Sequence, residues 1–139
     1  MRAIIFGISL LLSLLFFQAS AKDGTNKCLQ SEALDTIIAA LKTGNAKELV
    51  KNSLDPVEIG MKSEKKQSFN HAQAEARLKA FFTKYQPSGF EFVHQGTSQD
   101  GLLYVIGRYF YKGGEYQVYM LIKKSNGQLK IDTIDFSQD

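Results

Sequence analysis

The chain has 139 residues, 17 basic against 14 acidic, with two histidines and a single cysteine. A formal net charge of +3, spread along the whole length, argues against a dedicated nucleic-acid or anionic-membrane surface. One cysteine excludes an intramolecular disulfide, and the length suits one hydrophobic core of ordinary domain size.

Residues 1–21 read as a signal peptide. Arg2 supplies a positive start, Ala3 to Phe17 is an almost unbroken apolar run, and Ala19-Ser20-Ala21 presents small residues where a signal peptidase cuts. Removing these 21 residues from 139 leaves 118, a single α+β domain over 22–139. Loss of Arg2 lowers the net charge to +2, from 16 bases and 14 acids. The apolar run is shorter than the ~20 residues that span a bilayer. The expectation is an exported protein, periplasmic or secreted, with no membrane attachment after cleavage. Cys28 follows Thr25, Asn26 and Lys27, which do not form the small, apolar box of a lipidation signal. It reads as a small apolar residue in the approach to the first helix.

Helices come first. Leu34, Ile37, Ile38 and Leu41 fall at i, i+3, i+4 and i+7, one apolar stripe on a helix that Ser31 caps and Gly44 ends. Asn45 and Glu48 have the spacing of a reciprocal capping box for a shorter helix carrying Leu49 and Val50. After Pro56, the alternation of Val57, Ile59 and Met61 predicts a strand, which the charged residues 63–66 turn back towards Ser68 and Phe69 as a short hairpin. Asn70 and Gln73 repeat the capping signature. They open a third helix whose apolar face is Ala74, Leu78, Phe81, Phe82 and Tyr85, and which Pro87 stops.

From Phe90 onward, Asp100-Gly101, Gly113-Gly114 and Asn126-Gly127 separate four runs rich in Tyr, Phe, Val and Ile. Each pair tolerates the positive φ of two-residue hairpin turns, so the region predicts a four-stranded antiparallel meander. Two-residue turns fix the register: Lys112 falls opposite Glu115, and His94 opposite Gly107. On that register the core face carries Phe90, Phe92, His94, Gly96, Leu103, Val105, Gly107, Tyr109, Val118, Met120 and Ile122. The outer face carries Tyr104, Ile106, Arg108, Phe110, Tyr119 and Leu121. In the last strand the apolar positions change phase between Ile131 and Ile134. A bulge near Asp132-Thr133 would return both to the core and bend the sheet. Three helices with a short hairpin packed on a curved antiparallel sheet make an α+β cone.

That element order resembles the nuclear-transport-factor-2-like superfamily, whose fold is also described as cystatin-like. Within it, Ala40 to Leu49, Ala72-Gln73-Ala74-Glu75 with Phe81-Phe82, Val93-His94-Gln95-Gly96 and Tyr104-Val105-Ile106-Gly107 are similar to a family of secreted bacterial proteins known as domain of unknown function 4783. The resemblance implies the cone fold over nearly all of residues 22–139. It brings no activity and no catalytic residue. Superfamily enzymes place a base and hydrogen-bonding tyrosines inside the cone, so the residues expected there are the candidate site: His94, Gly107, Tyr109, Met120 and Thr133 as pocket lining. His94 and Tyr109 are the weak catalytic candidates, with Asp132 and Asp135 as further acids. A hydrogen-bonded structural histidine is the more ordinary reading of His94, and His71 reads as a solvated first-turn residue. No spacing of His, Cys, Asp and Glu suggests a metal, and the glycines sit in hairpin turns rather than phosphate loops, so no cofactor is expected.

Three functions stay open. The leading one is a non-catalytic module that binds a small apolar ligand or a partner; the others are an isomerase- or dehydratase-like enzyme using His94 and Tyr109, and a structural or assembly subunit. Tyr104, Ile106, Phe110, Tyr119 and Leu121 around Arg108 form the patch through which a homodimer would pack, and superfamily members commonly dimerise through that face.

Overall fold

A computed structural model describes residues 22–62 and 64–138, with side chains from residue 30 onward. The expected signal peptide lies outside the described residues, as does the Cys28 side chain. The elements in chain order are α1 (Lys22–Thr43), α2 (Ala46–Lys51), β1 (Ser53–Met61), β2 (Gln67–Phe69), α3 (His71–Lys84), β3 (Pro87–Thr97), β4 (Leu103–Tyr111), β5 (Gly114–Ser125) and β6 (Gln128–Ser137).

The local signals explain most boundaries. α1 runs through Ser31 and Cys28, so Ser31 is an interior helix position and not its cap. At the other end Gly44 takes φ 67°, and the Asn45 amide donates to the Ala40 carbonyl at 2.9 Å, closing a left-handed C-terminal cap. That bond occupies the amide Glu48 was expected to reach. The Asn45 side chain still accepts from the Glu48 amide at 3.1 Å, so only half of that capping box forms. At Asn70 both halves form, with Gln73 Oε1 accepting the Asn70 amide at 3.2 Å and Asn70 Oδ1 accepting the Gln73 amide at 2.9 Å.

The sheet is larger than the expected meander. It has six strands in the order β2-β1-β6-β5-β4-β3, because the hairpin joins it through a parallel β1–β6 pairing. β1 also begins at Ser53, ahead of Pro56. In this register Ile59 stands beside Ile134 and Met61 beside Phe136, so the hairpin's apolar residues continue the core face of the last strand. The expected bulge is present: Leu121 pairs with Thr133 but Ile122 pairs with Ile131, leaving Asp132 extra. It keeps Ile131, Ile134 and Phe136 all buried. Helices α1 and α3 supply Leu34, Ile37, Leu41, Leu78, Phe81 and Phe82 to the same core.

The three meander turns differ from one another. Asn126-Gly127 forms the expected two-residue turn with φ of 49° and 76°, and Ser125 faces Gln128. At the middle turn Tyr111 pairs with Gly114 and Phe110 with Glu115, so Lys112 does not oppose Glu115. This slip of two leaves every β4 and β5 side chain on its expected face. The first turn is a longer loop, residues 98–102, closed by the Ser98 amide on the Leu102 carbonyl at 2.7 Å and the Gly101 amide on the Ser98 carbonyl at 2.9 Å. It has the larger consequence.

Candidate functional site

The longer loop slips β3 by one residue against β4, and a one-residue slip turns every side chain to the other face. His94 therefore pairs with Ile106, not Gly107, and stands exposed on the outer face. Its Nε2 lies 3.3 Å from the Tyr104 hydroxyl. Gly96 likewise pairs with Tyr104. The Tyr104 ring lies over it, where any Cβ would collide with the phenol. A bulge at Val93 restores the phase, so Phe92 opposes Gly107 and Phe90 opposes Tyr109.

The expected pocket consequently does not assemble. Beside Gly107 the space is filled: a Cβ there would overlap Phe90 Cζ and lie 2.9 Å from the Glu91 carbonyl oxygen. Tyr109 and Met120 are fully buried in the core. Thr133 is buried too, but on the outer face, pairing with Leu121 and Glu58, with Oγ1 donating to Asp132 Oδ2 at 3.1 Å. Asp135 sits on that same face over Gly60. His71 is not simply solvated. Its half-buried ring places Nε2 3.1 Å from the Ser53 carbonyl and 3.2 Å from that of Leu54, tying the start of α3 to β1.

One end of the cone is plugged by aromatic rings. Phe81 lies with its ring centroid 4.4 Å from Phe136, 5.3 Å from Tyr116 and 5.6 Å from Tyr109, while Tyr85, Tyr111 and Tyr116 pack about one another at 5.0 to 5.3 Å. The Tyr109 hydroxyl donates to the Tyr85 carbonyl. Burial raises the Tyr109 phenol well above its ordinary range, and burial followed by the neighbouring Tyr85 phenol does the same for Tyr116. Tyr85 shifts downward, drawn by the Lys62 ammonium, which lies 4.4 Å from the ring centroid.

A phenol raised on folding keeps its stabilisation below the unfolded value near ~10 and loses it as the pH rises towards the folded value. The midpoint of thermal unfolding should therefore fall progressively above about pH 10. Tyr109→Phe should flatten that decline while costing about 1 kcal/mol at neutral pH for the lost buried hydrogen bond. Melting curves across pH 8 to 12 for both proteins check this, and parallel declines would exclude Tyr109 as a source.

The opposite end is open. There a groove of about 580 Å³ runs between α1 and the far ends of the meander strands. Ala33 and Thr36 of α1 form one wall, Leu102 and Leu103 of the 98–102 loop and β4 form another, and Ile122 and Leu129 of β5 and β6 line the sheet side. Polar groups converge from α1 (Gln30, Glu32), from the end of α2 (Lys51, Asn52) and from the β5–β6 hairpin (Lys124, Gln128, Lys130). Two of these are held in place: Asn52 Nδ2 donates to the Glu48 carbonyl at 2.8 Å, and Lys130 Nζ donates to the Lys51 carbonyl at 2.9 Å. None of the groove residues belonged to the expected pocket. Turn signals marked both loops at this end, but no sequence period tells which end of a cone stays unfilled.

The outer face gathers the other candidates. Tyr104 pairs with Leu121, Ile106 with Tyr119, Arg108 with Gln117 and Phe110 with Glu115, so all six expected interface residues share one side of the sheet. Tyr104 and Tyr119 stack at 6.4 Å, and Lys66 Nζ lies 5.7 Å from the Tyr119 ring centroid. Five of the six are half-buried and Arg108 is exposed. Among the described residues no group of three His, Cys, Asp or Glu side chains could hold a metal ion, and no helix is long and apolar enough to cross a membrane.

Helices on the concave side of a bent sheet, closed at one end and grooved at the other, define an α+β cone of the nuclear-transport-factor-2-like, or cystatin-like, class. The chain belongs to the family described as domain of unknown function DUF4783, whose model matches residues 34–137. It is similar to the crystal structure of a DUF4783 protein from Bacteroides ovatus, at 31% identity and a TM-score of 0.69 over 75% of this chain and 93% of that one. A DUF4783 protein from Bacteroides uniformis is similar at 28% identity and a TM-score of 0.68, over 76% and 95%. An NTF-2-like protein of unknown function from Burkholderia xenovorans shares the fold at 17% identity and a TM-score of 0.59, over 84% and 88%. No protein of curated function matches the chain. Three groove residues, Gln30, Glu32 and Ala33, precede the stretch that the family model matches.

Proposed function

We propose that this chain is an exported, non-catalytic module that binds a small ligand in the groove at the open end of the cone. The observation that carries the reading is the contrast between the two ends: aromatic rings fill one, while about 580 Å³ stays open at the other. That volume lies in the range of roughly 300 to 1,000 Å³ usual for ligand sites, and the lining combines an apolar wall with polar groups from three elements. The enzyme reading loses its support, because exposed His94 and buried Tyr109 occupy opposite faces of the sheet.

Native purification followed by mass spectrometry tests the proposal. A stoichiometric small molecule should accompany the protein, and a protein that stays empty and shows no thermal shift against a metabolite panel would count against it. The same material should begin at Lys22. A second reading, a homodimer through the outer face, is favoured by the aromatic residues that share that face and by the exposure of Val93 at the β3 bulge beside it, at 48%. Sedimentation equilibrium at micromolar concentration separates it from a monomer.

A further inference from the structure

The charge around the groove is unbalanced. Lys51, Lys124 and Lys130 line it against one acid, Glu32. Just behind them Lys123 stands directly opposite Lys130 in the β5–β6 ladder, and like charges directly opposed across an antiparallel pair are destabilising. Lys130 is also held close by, its ammonium donating to the Lys51 carbonyl. No described acid forms an ion pair with any of the four; the ion pair among the described residues is Arg77 with Glu64, at 2.6 Å and elsewhere in the fold. Lys51, Lys124 and Lys130 thus leave positive charge uncompensated at the groove, with Lys123 adding to it from the other face of the sheet, beside an apolar wall of Leu102, Leu103 and Leu129. An anion held there would balance that charge, and an apolar body attached to it would cover the wall.

We infer that the groove takes an amphipathic anion, a single-chain molecule with a carboxylate head. The chain lies on Leu102, Leu103 and Leu129, and the head is met by Lys51, Lys124 and Lys130. This rests on the groove reading above and adds to it the sign of the charge and the polarity of the ligand.

The test uses three probes that share a twelve-carbon chain: laurate, dodecanol and dodecyltrimethylammonium, each kept below its micelle concentration. Titration calorimetry, with amide chemical shifts to locate the site, should show laurate binding one to one, with shifts at Leu102 and Leu129. Dodecyltrimethylammonium should bind at least about tenfold more weakly, as expected when a charge-assisted contact is replaced by like-charge repulsion. Lys51→Glu with Lys124→Glu changes two exposed side chains, so the fold should survive. It should weaken laurate roughly tenfold or more and leave dodecanol within about twofold. Lys124→Gln alone should give an intermediate loss if the double variant proves unstable. Three probes binding alike at the groove, insensitive to these changes, would overturn the anion inference and leave the groove standing. Binding by none of them at the groove would remove both.

Discussion

Replacing Phe136 by alanine should destabilise the protein by about 3–5 kcal/mol, the usual cost of truncating a fully buried phenylalanine. Phe136 is completely buried, and its ring meets Phe81 at 4.4 Å, Tyr109 at 6.0 Å and Phe82 at 6.5 Å. These partners come from α3 and β4, and the Phe136 backbone pairs with Met61 of β1 and Val118 of β5. A cavity at this point would sit where the last strand, the hairpin and the third helix are joined. Collapse into it is resisted because the surrounding rings already pack on one another, Phe81 edge to face with Phe82 and both tilted against Tyr109. Phe136→Leu restores much of the volume and should recover more than half of the loss. Urea unfolding of the two variants measures both numbers, with an unchanged m-value confirming that the native state and not the unfolded chain was altered. A loss near 1 kcal/mol for Phe136→Ala would mean that the rings do not form one packed unit.

What could be read in the sequence follows from the range of each signal. Asn70 with Gln73, Gly44 and Asn126-Gly127 act within four residues, and the structure uses each as expected. The phase change from Ile131 to Ile134 gave away the bulge at Asp132, because a buried apolar residue out of step leaves few other solutions. The parallel pairing of β1 with β6 was hidden. It joins Glu58 to Thr133 across most of the chain, and alternation of Val57, Ile59 and Met61 names a face but no partner. The candidate pocket failed for a smaller reason. Asp100-Gly101 suits a two-residue turn, but Ser98 closes a longer loop with its own amide and carbonyl. The extra length moved His94 from the inside of the sheet to the outside. A second irregularity at Val93 then returned Phe90 and Phe92 to their expected side, so the error stayed confined to the residues between the loop and the bulge. Those residues included the proposed base.

Gly107 shows how much depends on that register, and Gly107→Ala should destabilise the protein by about 1–3 kcal/mol, the range for overpacking a filled core. With His94 opposite it, the missing side chain would leave room and an added methyl would be welcome. In the structure Phe92 is opposite, and the ring of Phe90 reaches across so that an alanine Cβ would overlap Cζ and crowd the Glu91 carbonyl oxygen at 2.9 Å. Backbone conformation does not enter, because Gly107 is not among the glycines at positive φ. In an unstrained strand position alanine would otherwise gain from reduced freedom of the unfolded chain, by about 0.4–1 kcal/mol. The sign of the effect thus reports directly on the contact. Phe90→Leu shortens the colliding side chain, and combined with Gly107→Ala it should cost less than the two changes added separately, by about 0.5–3 kcal/mol of coupling. The rescue should stay incomplete because the Glu91 carbonyl belongs to the backbone of β3 and cannot rotate away. Chemical unfolding of the two single variants and the double variant closes the cycle. A neutral or stabilising Gly107→Ala, or strict additivity with Phe90→Leu, would show that open space lies beside Gly107 after all and would return the interior of the cone to consideration as a binding site.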